Sequence, residues 1–102
     1  MLNARITVLE ETADGKVLPA MSICRPNFTM KLGFQPHEND FIRLWEDIVI
    51  RVRKATYDAI SSDHVDVIAS MPTVEFEAFA EVVRRPHPVF TEWEVHGWKT
   101  VA

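Results

Sequence analysis

The sequence predicts an α+β fold in which an antiparallel sheet, an N-terminal β-meander plus a C-terminal strand, packs on one long and one shorter helix. Three patterns favour it: alternating apolar residues near the N-terminus, apolar residues at helical spacing in the middle, and helix start and stop signals late in the chain. The 102 residues contain no repeat and no Gly/Ser-rich linker, which indicates a single domain over residues 1–102.

The first third of the chain predicts a three-stranded antiparallel meander. Residues 5–8 alternate polar and apolar side chains, as a half-buried strand does. Asp14-Gly15 then predicts a hairpin with a type I′ turn, because such a turn needs a positive φ that glycine adopts at little cost. The return strand carries Pro19, which cannot donate to a ladder and so places the strand at an edge or starts it after the proline. Alternation over residues 28–34 predicts the third strand.

The long helix is predicted over residues 41–59. Asn39 or Asp40 would cap it, and Ser61-Ser62 would end it. The opposite, polar face alternates in charge sign at i,i+4 spacing, which is typical of a solvated helix face. The apolar positions at helical spacing are Phe41, Ile42, Leu44, Trp45, Ile48, Val49, Val52, Ala55 and Ala59.

The second half is less distinct. Residues 64–71 fit either a short strand or a helical turn. Residues 73–85 also alternate, but Ser70 as a cap, Pro72 in the first turn, early glutamates and a basic pair at the end favour the shorter helix. Residues 89–101 predict a final strand.

Composition excludes several classes of protein. Cys24 is the only cysteine, which excludes an internal disulfide and any multi-cysteine metal site. Three scattered glycines exclude a Gly-rich phosphate loop, and no nucleophile-elbow motif occurs. The formal net charge of −4 argues against non-specific binding to nucleic acid or to an anionic membrane. With no signal-like N-terminus and no apolar run long enough to span a bilayer, we expect a cytoplasmic protein without membrane partners or cofactors.

The sequence signals for catalysis and for metal binding are weak. Cys24 lies in an apolar segment, where a structural thiol is the commoner outcome. Asp63-His64-x-Asp66 offers an oriented imidazole for acid–base work, although such clusters are more often simple turns. Three late residues carry metal-ligand side chains at a spacing that matches no known ligand framework: His87, Glu92 and His96. A small enzyme with a His/Asp or Cys centre is therefore the third interpretation, and we expect no enzyme.

The second interpretation is a nucleic-acid-binding module. Its basic residues would be Arg43, Arg51, Arg53 and Lys54, on the predicted long helix. Arginine grips phosphates in a bidentate manner, but acidic residues at 46, 47 and 58 interleave with these four and cancel much of their field.

The favoured interpretation is a small non-catalytic binding or regulatory protein. Ile50 and Tyr57 lie seven apart on the polar helix face and would form an apolar stripe flanked by Glu46 and Arg53, a combination enriched in protein contacts. Trp93 and Trp98 crowd the final strand and add candidate anchors. The alternative is that all four apolar residues simply complete the core. The expected partner is another protein or a second copy in a homodimer. By size and acidity alone, phage-encoded inhibitors and assembly factors are comparable.

Overall fold

The structure is a computed structural model that describes residues 1–45, 47–85 and 97–101. Within these ranges the chain forms six strands and one helix. In chain order they are β1 (Leu2–Glu11), β2 (Val17–Leu32), β3 (Phe41–Trp45), β4 (Ile48–Tyr57), β5 (His64–Pro72), α1 (Thr73–Arg84) and β6 (Lys99–Val101).

The strands form one mixed sheet in the order β3-β4-β5-β1-β2-β6. The central pair, β1 and β5, is parallel, whereas the other four pairs are antiparallel. The predicted α+β class, with an antiparallel sheet on one long and one shorter helix, is therefore wrong: the described residues are mostly sheet, with a single helix.

The predicted long helix is replaced by the hairpin β3–β4. Apolar residues of β4 also alternate at a period of two, and Ile48, Ile50 and Val52 are β-branched, which favours a pleated strand over a helix. The predicted caps instead form a turn before β3. Asn39 has a φ of 73°, and the Asp40 carboxylate accepts a hydrogen bond from the backbone N–H of His37 at 2.8 Å.

The predicted meander is a two-stranded hairpin. The hairpin turn at Asp14-Gly15 is confirmed, with a φ of 86° at Gly15, but it is not type I′, because the φ of Asp14 is not positive. The third strand is wrong, because residues 28–32 continue β2. The two prolines of β2 do not end the strand, because each falls at a shift in the β1–β2 register. Pro19 lies between Leu18 and Ser22, the partners of two consecutive β1 residues. Pro26 lies in the second shift, between the partners of Ala4 and Ile6. A bulge tolerates the missing N–H donor.

The shorter helix is confirmed as α1, and residues 64–71 are a strand. Glu75 lies in the first turn of α1 and Arg84 in the last, as the helix dipole favours. The predicted Ser70 cap is wrong: the N-cap residue is Pro72, and no side chain caps the helix.

The core lies between α1 and one face of the sheet. Phe76 and Phe79 of α1 are fully buried in one cluster with apolar residues of the strands. The strand residues are Ala4, Ile6, Val8, Ile23, Leu32, Ile42, Ile50, Val52, Val65, Val67, Ala69 and Met71. Trp98 closes the cluster, with its ring 5.3 Å from that of Phe79 in an edge-to-face arrangement. Since side chains alternate along each strand, the residues between these point to the opposite side, which we call the outer face.

Candidate binding site

A row of four paired residues crosses the outer face from β3 to β1. Phe41 pairs with Arg51, Arg51 with Ser70, and Ser70 with Leu9. Along the row, accessibility falls from 71% at Phe41 to 1% at Ser70. Side chains directly opposite on neighbouring strands lie about 5 Å apart, so these residues form one continuous surface.

Two arginines of β4 converge on one carboxylate beside this row. Arg53 Nη1 donates a hydrogen bond to Glu11 Oε1 at 2.5 Å, and Arg51 Nη2 lies 3.7 Å from the same oxygen. The Glu11 side chain is only 15% accessible. Charge pairing therefore fixes the carboxylate at the end of β1 and ties it to β4 across β5.

A cleft of about 380 Å³ opens where the sheet meets the start of α1. It is lined by Glu11, Phe41, Asp47, Val49, Arg51, Ser70, Pro72 and Glu75. A second cleft of similar volume adjoins it and shares Glu11 and Pro72. The first cleft thus combines a buried polar floor with the exposed ring of Phe41 at one side and the exposed carboxylates of Asp47 and Glu75 at its rim.

Two polar atoms in this cleft are buried without a partner. Among the described residues, Arg51 Nε donates no hydrogen bond, Ser70 Oγ neither donates nor accepts one, and both atoms have almost no accessible surface. A buried polar group left unsatisfied costs about 1–3 kcal/mol, so proteins rarely keep one without a reason. This pair distinguishes the cleft from the rest of the outer face.

Strand β3 forms one edge of the sheet, and its residues Phe41 and Arg43 are exposed. Within the described part of the chain, β4 is the strand that pairs with it. Arg43 is exposed and no ion pair is formed by it there. An exposed edge strand presents unpaired N–H and C=O groups that another strand can bind.

The predicted partner-binding stripe does not exist as such. Ile50 is fully buried and belongs to the core, because residues 48–57 are a strand rather than a helix. Tyr57 is 42% accessible, and its hydroxyl donates a hydrogen bond to the backbone carbonyl of Pro36 at 2.9 Å. Partial desolvation, together with the nearby Asp40 carboxylate, raises the pKa of Tyr57. The register of β4 shifts after Val52, so Tyr57 pairs with the buried Val65 and lies on the core side of the sheet.

Of the two predicted tryptophan anchors, the structure describes Trp98, which is not available to a partner. Trp98 is only 6% accessible and packs in the core. Trp93 and Glu46 lie outside the described residues. The predicted strand over residues 89–101 is described only in its last part, as β6.

The basic residues of the nucleic-acid interpretation lie on β3 and β4. Arg51 and Arg53 are drawn to Glu11, which neutralises part of their charge. Arg43 and Lys54 are exposed. The four residues therefore do not form a continuous cationic surface.

The candidate catalytic residues are not assembled. Cys24 is a half-buried free thiol. The His64 ring stacks on Phe28 with their centroids 4.3 Å apart, while the Asp66 carboxylate accepts two hydrogen bonds from Arg5 at 2.5 and 3.0 Å. These hydrogen bonds raise the pKa of Arg5, with burial opposing.

Asp63 accepts a hydrogen bond from the Asn3 side-chain amide at 3.0 Å rather than orienting His64. No group of three or more His, Cys, Asp or Glu residues within the described ranges could hold a metal ion. The proposed ligands His87, Glu92 and His96 lie outside those ranges.

Comparison with known proteins gave no match: no family model fits the chain, and no curated protein or solved structure is significantly similar to it. In the described residues, no helix has the length and apolar character needed to cross a membrane. Sequence reasoning missed Glu11, Phe41 and Ser70 as site residues. Phe41 was assigned to a buried helix face and Ser70 to a helix cap, and only the cross-strand register brings them together.

Proposed function

We propose that this protein binds an extended segment of another protein along the edge of β3. The observation that carries the proposal is Phe41, an aromatic side chain 71% accessible on an edge strand. A segment added to that edge gains main-chain hydrogen bonds, while its side chains pack beside those of the edge strand. Phe41 supplies the apolar contact that anchors such a strand.

Charge favours a foreign partner over a second copy. The β3 sequence, Phe-Ile-Arg-Leu-Trp, contains a central arginine and no acidic residue. Two copies paired antiparallel about the strand centre would place Arg43 opposite Arg43, and like charges directly opposite each other are destabilising. A partner strand with Asp or Glu opposite Arg43 gains a favourable pair instead. The proposed partner is therefore an extended, acidic segment of another protein.

The strength of the anchor sets the size of the expected effect. Burial of a phenylalanine side chain contributes about 2 kcal/mol, which corresponds to about a 30-fold change in affinity. Reversal of the charge at Arg43 removes an attraction and adds a repulsion. We expect both changes to weaken binding without affecting the core, since both side chains are exposed.

The test is selection of binding peptides from a displayed random library, with peptides of about ten residues to span a strand. Selected peptides are synthesised and titrated calorimetrically into wild type and variants. We expect enriched peptides to carry an acidic residue, Phe41→Ser to weaken binding about 30-fold, and Arg43→Glu to reverse the charge preference. Matched controls are Phe34→Ser, at a ring 48% accessible outside β3, and Lys31→Glu, at another exposed cation.

Three outcomes would contradict the proposal. The selection yields no binding peptide, or the peptides bind Phe41→Ser as tightly as wild type, or light scattering shows a dimer that Phe41→Ser dissociates. The last result would establish self-association at the same edge. A single-stranded oligonucleotide is titrated in parallel, because salt-sensitive binding that depends on Arg43 and Lys54 would favour the nucleic-acid interpretation.

A further inference from the structure

The floor of the cleft is built to donate hydrogen bonds. Arg51 Nε carries a hydrogen that it can only donate, and Ser70 Oγ carries one that it can orient freely. Both atoms are buried and lack partners among the described residues, and Ser70 as a whole is only 1% accessible. The start of α1 also borders the cleft and has no side-chain cap, and a helix N-terminus likewise favours an acceptor. The missing group is therefore an acceptor.

The charge of the lining limits what this acceptor can be. Glu11, Asp47 and Glu75 oppose a single cation, Arg51, which leaves the lining net negative. An anionic ligand would be repelled by the carboxylates. A simple cation offers no acceptor for Arg51 Nε or Ser70 Oγ. The fitting group is neutral and combines an acceptor oxygen with donor hydrogens.

We infer that the cleft binds a carboxamide, the group found in Asn and Gln side chains and in small primary amides. Its oxygen accepts hydrogen bonds from Arg51 Nε and Ser70 Oγ. Its NH₂ group donates to the surrounding carboxylates, of which Glu11 is the most buried. A volume of about 380 Å³ accommodates such a group together with part of the molecule that carries it.

Phe41 borders both this cleft and the proposed docking edge, but the two donor atoms of the floor lie away from that edge. Strands in a sheet lie about 4.8 Å apart, so a strand added outside β3 is about 14 Å from β5, where Ser70 lies. A glutamine of that added strand does not span this distance. The carboxamide therefore comes from a different ligand or a different part of a partner, and the inference does not rest on the proposed function.

Access to the floor requires a shift of the Arg51 side chain, because the two donor atoms are closed to water. The ion pairs of Glu11 do not oppose this shift. Arg51 approaches Glu11 only at 3.7 Å, whereas Arg53 holds the same oxygen at 2.5 Å. Glu11 consequently keeps a charged partner when Arg51 turns toward a ligand.

The experiment is an NMR titration of the ¹⁵N-labelled protein with two matched probes, N-acetyl-glutamine N-methylamide and N-acetyl-glutamate N-methylamide, which differ mainly in charge. We expect the glutamine probe to give saturable shifts at Ser70, at the Arg51 backbone and at the Arg51 Nε–H. The glutamate probe should bind at least about tenfold more weakly, since one charge-assisted hydrogen bond or repulsion of this kind changes affinity by about that factor. Free L-glutamine and propionamide are titrated as well.

Variants separate the site from general effects. Ser70→Ala removes one donor, and Arg51→Lys keeps the charge but removes Nε; each should weaken the glutamine probe about tenfold. Ser62→Ala, at an exposed serine away from the cleft, should bind as wild type does. Binding of the blocked probe alone identifies a polypeptide side chain as the source, and equal binding of the free amides identifies a small molecule. The inference is overturned if no carboxamide gives saturable shifts, if the glutamate probe binds as well, or if both variants bind normally.

Discussion

Replacement of Ser70 by alanine is expected to stabilise the protein. The Ser70 hydroxyl is fully buried and has no hydrogen-bond partner among the described residues, and such a group costs about 1–3 kcal/mol relative to a solvated hydroxyl. Alanine removes that cost and gives up only the dispersion contacts of one oxygen, each about 0.1–0.2 kcal/mol. The net gain is about 1 kcal/mol, which raises the Tm of a domain of this size by about 4 °C.

Urea unfolding monitored by circular dichroism measures this gain as a higher midpoint at unchanged slope. Ser62→Ala is the control, because an exposed serine should change stability by less than about 0.5 kcal/mol. A loss of about 1 kcal/mol or more in Ser70→Ala would refute the reasoning, since it would show that the hydroxyl is already hydrogen-bonded in the free protein. Together with weaker binding of the glutamine probe, a gain would show that Ser70 is kept for its ligand at the expense of stability.

Three further predictions test the fold. Ile50→Ala should destabilise by about 3 kcal/mol in urea because the side chain is fully buried, whereas Ile60→Ala, at a residue 96% accessible, should change stability little; equal effects would contradict the core assignment. Gly15→Ala should cost about 1 kcal/mol because its φ is 86°, while Gly33→Ala, with open space at its Cβ position, should be nearly neutral. The backbone N–H groups of Ile60 and Ser61 donate hydrogen bonds to the Asp58 carboxylate and lower its pKa. The contribution of Asp58 to folding stability is therefore present above the unfolded pKa and is lost as the pH falls through the lower folded pKa. An NMR titration of the Asp58 carboxyl carbon that gave an ordinary pKa would refute this.

Local signals predicted several elements correctly. The turn at Gly15 follows from the conformational freedom of glycine, and α1 follows from Pro72, Glu75 and Arg84 at positions that suit a helix. These features depend only on residues close in sequence. They do not depend on what the element packs against.

The long helix was wrong because its segment satisfies two periods at once. Phe41 and Ile48 fit a helical face, while Ile48, Ile50 and Val52 also alternate as a strand. The deciding signal was the density of β-branched residues in β4, which a helix accommodates poorly. Tertiary pairing with β5 then settles the choice.

The candidate site was beyond sequence reasoning for a different reason. Glu11, Arg51 and Ser70 come from three strands, and only the register of β1 with β5 and of β5 with β4 places them side by side. A shift of one residue would turn each side chain to the other face. Pairing between segments so distant in sequence leaves no local pattern to read.

The parallel pair at the centre of the sheet has a consequence during protein synthesis. Arg5 and Asp66, which meet across it, are 61 positions apart. At about 5–20 residues per second, the ribosome supplies β5 about 3–12 seconds after β1. For that interval both edges of the β1–β2 hairpin are unpaired, because β5 and β6 are not yet made, and the side chains of Ile6 and Val8, which are fully buried in the finished protein, are exposed. The nascent chain is therefore most exposed to mispairing and to chaperone capture before residue 72 emerges.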